Sequence, residues 1–250
     1  MRLPSALLPS GKLYPSARPT KPRTGHNIMG LGMGLGMFRR LTYAALERQL
    51  NRAYRTRLAS RGATAAGVFW RSSSSQIARF DALLGLAHKI SAHHPVSIAD
   101  VGCGYGAMLD FILQQPAYRH TDYQGVDINP AMITACRQRH SAMAARFHVG
   151  KQPPNMVDFC LFSGTFNLTH GTDADLWLDY IFHNLSACLA KSRQGLILNL
   201  ICKPKIKIER QIFYANRAAF IARATATLGP TRATTTPHVN DDVTFIIAKP

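Results

Sequence analysis

The residues of this chain best suited to chemistry lie in two short stretches, Asp100-Val101-Gly102-Cys103-Gly104-Tyr105-Gly106 and, further on, Gly125-Val126-Asp127-Ile128. Three glycines at alternate positions after an apolar run let a strand turn sharply into a helix. They also let a ligand meet the backbone with no Cβ in the way. Asp127 follows Gly102 by 25 residues, the separation at which an acid ending the next strand reaches a bound ribose. Its two oxygens suit a vicinal diol. The pairing of loop and acid points to a nucleotide-type cofactor.

Gly102-x-Gly104-x-x-Ala107 also satisfies the relaxed dinucleotide fingerprint, so a nicotinamide dinucleotide has to be weighed. Asp100 separates the candidates. It would aim a negative charge into a site that, for a dinucleotide, holds a pyrophosphate. S-adenosylmethionine instead brings an ammonium and a sulfonium, and an acid attracts both.

These residues need a scaffold, and the pattern from His93 onward supplies one. Short β-type runs at Val96–Val101, Tyr123–Ile128, Ala145–Val149, Met156–Phe162, Gly195–Ile201 and Val243–Ala248, with a weaker one at Thr231–Thr236, alternate with helical segments. The helices are expected at Ala107–Gln115, Pro130–Arg139, Asp173–Ala190 and Tyr214–Leu228. Such alternation predicts an α/β fold, a Rossmann-like doubly wound sheet of seven mostly parallel strands with helices on both faces. The few residues from Pro237 to Asp242 cannot hold a helical crossover, so the last two strands are expected to form an antiparallel hairpin. Right-handed crossovers put the loops after the parallel strands on one edge, where ligands bind.

Asp100-x-Gly102-x-Gly104-x-Gly106, Gly125-Val126-Asp127-Ile128 with Met132-Ile133, and Asp158 through Asn167 together resemble the class I S-adenosylmethionine-dependent methyltransferases. The segment Trp70-Arg71-Ser72-Ser73-Ser74-Ser75-Gln76-Ile77-Ala78-Arg79-Phe80 is similar to one preceding the domain in bacterial small-molecule-type members. The likeness runs from about Tyr54 to Lys249. It implies that Gly102, Gly104 and Gly106 cradle the methionine part, that Asp100 receives its ammonium, and that Asp127 holds the ribose. Ile128 and Met132 would flank the adenine, with Lys151 and Ser163 completing the cofactor-binding set. Lys151 departs from the family pattern, which commonly has Gly-Asp where this chain has Gly150-Lys151. A lysine has no acceptor for the adenine amino group, which leaves that role to backbone groups or Gln152. Arg79 is either a cofactor-carboxylate ligand on a covering helix or a surface arginine.

Methyl transfer requires nucleophile, carbon and sulfur to be aligned and water excluded. A carboxylate or thiolate acceptor needs no catalytic residue, whereas a hydroxyl or amine is helped by a base. The loop Ser163–His170 should face the methyl group, making Asn167 and His170 catalytic candidates, with His238 and Asp241 weaker ones. No metal is expected, because the five cysteines are scattered without zinc-ligand spacing. Their odd number and wide spacing favour a reducing cytoplasm.

The chain of 250 residues, 46% hydrophobic, can bury a large core and carries +17 at neutral pH. Much of that charge lies in residues 1–61, where twelve Lys and Arg face the single acid Glu47. Three segments are expected: a disordered basic tail over 1–36, starting upstream of a true start at Met29, Met33 or Met37; a helical cap over 37–94; and a cofactor-binding domain over 95–250. Within the cap, helices are expected from Phe38 to about Leu58 and from Gln76 to about Ser91. No apolar run is long enough to span a bilayer. The function expected is methyl transfer from S-adenosylmethionine to a small molecule. Alternatives are an RNA methyltransferase with the basic segment as a phosphate-binding arm, a degenerate non-catalytic binding protein, and a dehydrogenase.

Overall fold

A computed structural model of the chain describes residues 28–70, 72–236, 239 and 241–250, with the side chains of 28–36 left out. Two compact units are present, Met1–Arg40 and Leu41–Pro250. In the first, the described side chains of Met37 and Phe38 are exposed.

The second unit is built on strands β1 (Ser97–Val101), β2 (Asp122–Asp127), β3 (Phe147–Val149), β4 (Val157–Phe162), β5 (Ser192–Ile201), β8 (Thr231–Thr235) and β9 (Asp242–Ala248). They form one sheet in the order β3-β2-β1-β4-β5-β9-β8. Pairing is parallel from β3 through β5, and β9 runs antiparallel to both β5 and β8. The expected doubly wound sheet and its terminal hairpin are therefore both present. β1 and β4 are buried along their whole length, as strands covered on both faces must be.

Two hydrophobic layers cover the sheet. On one face, α2 (Ser73–Ile90), α3 (Ala107–Gln114) and α4 (Pro130–Arg139) bring Leu83, Leu84, Met108, Leu109 and Ile133 against Ile98, Phe147 and Phe159. On the other, α5 (Ala174–Leu189) and α6 (Arg217–Thr227) pack Trp177, Ile181, Phe182 and Phe220 against Leu198 and Phe245. Tyr43, Leu46 and Leu50 of α1 (Ile28–Arg61) join this second layer at helical spacing.

α1 differs from expectation. Residues 28–36, assigned to an unstructured tail, are helical. No proline interrupts Ile28–Arg61, and extending an existing helix needs no new nucleus, which offsets the roughly 1 kcal/mol that each glycine costs. Residues 1–27 lie outside the described set.

A second correction concerns β6 (Lys207–Glu209) and β7 (Ile212–Tyr214), a hairpin that the sequence did not announce. Its turn residues, Arg210 and Gln211, both adopt positive φ, 50° and 68°, where Asn or Gly is usual. α6 consequently starts at Arg217 rather than Tyr214, capped by Asn216, whose side chain accepts from the Ala219 N–H at 2.8 Å. Among the described residues no helix is long and apolar enough to cross a membrane.

Candidate functional site

The tips of β1 and β2 place two carboxylates side by side at the sheet edge. Asp100 is 2% exposed and accepts from the Tyr123 hydroxyl at 3.0 Å. Asp127 accepts from the Gly104 N–H at 3.0 Å and from the Asn129 N–H at 2.8 Å, so the acid that ends β2 also holds the glycine loop in shape.

Burial pushes Asp100 up to about 7, helped by the charge of Asp127 and opposed by the Tyr123 hydroxyl. Burial likewise raises Asp127 to about 6 against the two N–H donors. Among the described residues neither acid has an ion-pair partner. A cation beside them would relieve this cost.

The three glycines separate in role. Gly102 has φ +82°, and a Cβ there would stand 2.5 Å from Thr165 Cγ2, so the loop after β4 closes directly onto it. Gly104 sits under Val68, in the 3-10 turn Ala66–Val68, with room for no more than a tight contact of 3.3 Å. Gly106 begins α3 and faces His140 and Cys136 rather than the cavity.

A cavity opens over this edge. Of the ten residues expected to bind cofactor, seven line it: Asp100, Gly102, Gly104, Asp127, Ile128, Lys151 and Ser163. Gly106, Met132 and Arg79 do not. Met132 is buried in the packing of α4. Arg79 is not a surface residue, because its guanidinium is buried against Asp242, donating from Nε at 2.6 Å, and lies over the Trp70 ring at 4.5 Å. It thereby props Trp70, which does line the cavity.

Of the catalytic candidates that are described, none lines this cavity. Asn167 Oδ1 accepts from the Ile201 N–H at 3.2 Å, tying the loop after β4 to the end of β5. His170 lines a separate groove on α1. His238 lies outside the described residues. Asp241 pairs with Lys203 at the surface.

Sequence reading missed the roof. Leu50, Asn51 and Tyr54 of α1 and Trp177, Tyr180 and Asn184 of α5 close over the carboxylates. Glu47 ties the roof together, accepting from the Tyr180 hydroxyl at 3.2 Å and pairing with Lys151 Nζ at 2.6 Å. Lys151 thus meets a carboxylate from a helix more than 100 residues earlier in the chain. Asn129 adds a tie by donating to the Asn51 carbonyl at 3.2 Å. The amphipathic spacing of α1 was visible beforehand. The partners of its polar face were not, since only tertiary packing brings them together.

Sheet order, glycine loop and strand-end acids define a Rossmann-like domain of the methyltransferase type. The methyltransferase-domain family matches residues 98–188. Rv1506c of Mycobacterium tuberculosis (strain ATCC 25618 / H37Rv), a protein designated a methyltransferase, is 32% identical over 133 residues, which span 52% of this chain and 79% of that protein. The chain belongs to the class I S-adenosylmethionine-dependent methyltransferases. Among solved structures it is similar in fold to a SAM-dependent methyltransferase of Leishmania major, with TM-score 0.56, 12% identity, and 82% of this chain and 83% of that one covered. It is similar also to the magnesium protoporphyrin IX methyltransferase of Synechocystis PCC 6803, crystallised with bound SAM, at TM-score 0.51 and 12% identity, covering 70% and 80%.

Proposed function

We propose that this methyltransferase acts on a small molecule whose nucleophilic atom already carries a negative charge, a carboxylate or thiolate in place of a neutral hydroxyl or amine. The observation that carries the reading is the composition of the cavity wall, which among the described residues contains no histidine and offers Asp100 and Asp127 as its acids. Tyr54 and Tyr180 are held protonated, because burial and the nearby charges of Asp127 and Glu47 push both phenols well above their ordinary value. With Asp100 and Asp127 given over to the cofactor, the described wall leaves no base for the acceptor and suits one that needs none.

The residues present fit the cofactor of the family. A buried, uncompensated carboxylate at Asp100 matches the ammonium, a second at Asp127 matches the ribose diol, and the buried Ser163 Oγ and Asn51 Oδ1 line the same cavity with no hydrogen-bond partner. In this reading Asp100 faces the ammonium, Asp127 the ribose hydroxyls, and Ile128 packs on the adenine. When bound, S-adenosylmethionine supplies a methyl group activated by its sulfonium. The chain contributes alignment and a dry roof, with residues 37–94 acting as cap and 95–250 as cofactor-binding domain. All five cysteines are free and four are buried, which supports a reducing, cytoplasmic setting. Roofing by α1 and α5 favours a small acceptor over RNA, which needs an open platform.

The test is to incubate the protein with methyl-labelled S-adenosylmethionine and a bacterial cell extract, then fractionate. Base-labile label in a small-molecule carboxyl ester, or label in a thioether, is expected. Label confined to RNA would overturn the reading.

A further inference from the structure

A second concave surface lies on the outer side of the roof. Gln49, Arg52 and Thr56 follow one another at helical spacing along one face of α1, and Arg57, Phe69 and His170 complete a groove that contains no acid. Arg52 is exposed and, among the described residues, has no hydrogen bond or ion pair. Arg57 spends its Nε on the Ala66 carbonyl at 2.9 Å and lies over the Phe69 ring at 4.9 Å, leaving the other guanidinium N–H groups available. His170 Nε2 is buried without a partner. Unsatisfied ring nitrogen, two guanidinium groups and an aromatic face are the donor set for an organic anion.

The groove adjoins the cofactor cavity. Phe69 lines the groove, Tyr54 lines the cavity, and the two rings meet edge to face with centroids 5.2 Å apart and planes at 87°. One aromatic pair is therefore the wall between a cavity lined by two acids and a groove lined by two arginines.

We infer that this groove is a second ligand site, separate from the methyl-transfer centre, for a small organic anion held by Arg52, Arg57 and His170. The inference goes beyond the methyl-transfer reading and stands apart from it. His170 is an anion-binding residue here, through a ring nitrogen that burial leaves without a partner.

The test is calorimetric titration of the full chain, saturated with S-adenosylhomocysteine, with 2-naphthoate and with its neutral counterpart 2-naphthamide. Naphthoate is expected to bind at least about tenfold more tightly than the amide. Arg52→Gln should weaken naphthoate about tenfold, as loss of one charge-assisted contact does, and Arg52→Gln with His170→Gln should weaken it further. S-adenosylhomocysteine affinity should stay unchanged in both variants. Equal binding of the two probes, no naphthoate binding, or naphthoate affinity untouched by either variant would overturn the inference. So would a short single-stranded RNA that binds the wild type and loses affinity in Arg52→Gln while naphthoate does not. Failure of the wild type to bind S-adenosylhomocysteine would strike the methyl-transfer reading itself, and that titration reports it separately.

Discussion

The inner cavity and the outer groove are built from opposite charges on two sides of one aromatic pair. Inside, Asp100 and Asp127 are buried and raised toward neutrality because no cation accompanies them. Outside, Arg52 is exposed and Arg57 keeps free donors, with no acid among the groove residues. The inner site accepts the cost of burying like charges side by side, which a cationic ligand recovers. The outer site keeps its charges hydrated, so it tolerates mutation. Selectivity for a cationic cofactor and for an organic anion can thus reside in two separate patches, each adjustable without the other.

The comparison breaks most severely at Asp127. Asp127→Asn should cost about 100-fold in S-adenosylhomocysteine affinity by calorimetry, the loss of charged hydrogen bonds to a diol, while leaving naphthoate binding within error. Loss of both ligands together would mean that the two sites are not independent.

Proton concentration should divide the two sites next. Because Asp100 and Asp127 titrate near 7 and 6, affinity for the ammonium-bearing ligand should fall about tenfold per pH unit below about 7 and more steeply below about 6, whereas naphthoate binding, resting on arginine, should not fall. The sign for stability is the reverse. Folded pKa values above the unfolded ones mean that the native state binds more protons between about 4 and 7, so the ligand-free protein should gain stability as pH falls through that window. Thermal melts of wild type against Asp100→Asn check this: the variant should show a flatter dependence.

A smaller effect is expected at the roof. Lys151 is 43% exposed in its pair with Glu47, so the bridge is worth little. Glu47→Gln should loosen α1 and speed S-adenosylhomocysteine release only a few-fold in stopped-flow measurements, without altering the preference of the groove for anions.

Much of the inner site could be read from residue order alone. Asp100, the glycine loop and Asp127 are local features whose meaning comes from strand ends, and strand ends follow from apolar runs. Helix α4 begins at Pro130 and ends at Arg139, as expected, because Asn129 caps it and proline suits its first turn. The outer groove was not legible. Gln49, Arg52 and Thr56 look like the solvated face of a helix until Phe69 and His170 are folded against them. Arg79 misled for the same reason: only the long-range pairing with Asp242 on β9 shows that it is buried, and no local pattern announces a partner 163 residues away. The β6–β7 hairpin escaped because Arg210 and Gln211 carry none of the usual turn chemistry.

The central claim is that Asp100 and Asp127 together receive the cofactor. A crystal structure of the protein with S-adenosylhomocysteine tests it most directly. The account predicts ribose hydroxyls within hydrogen-bond distance of Asp127, the ligand ammonium on the side of Asp100, and Ser163 Oγ newly partnered. Ligand density elsewhere on the chain, or Asp127 still bonded only to Gly104 and Asn129, would contradict it.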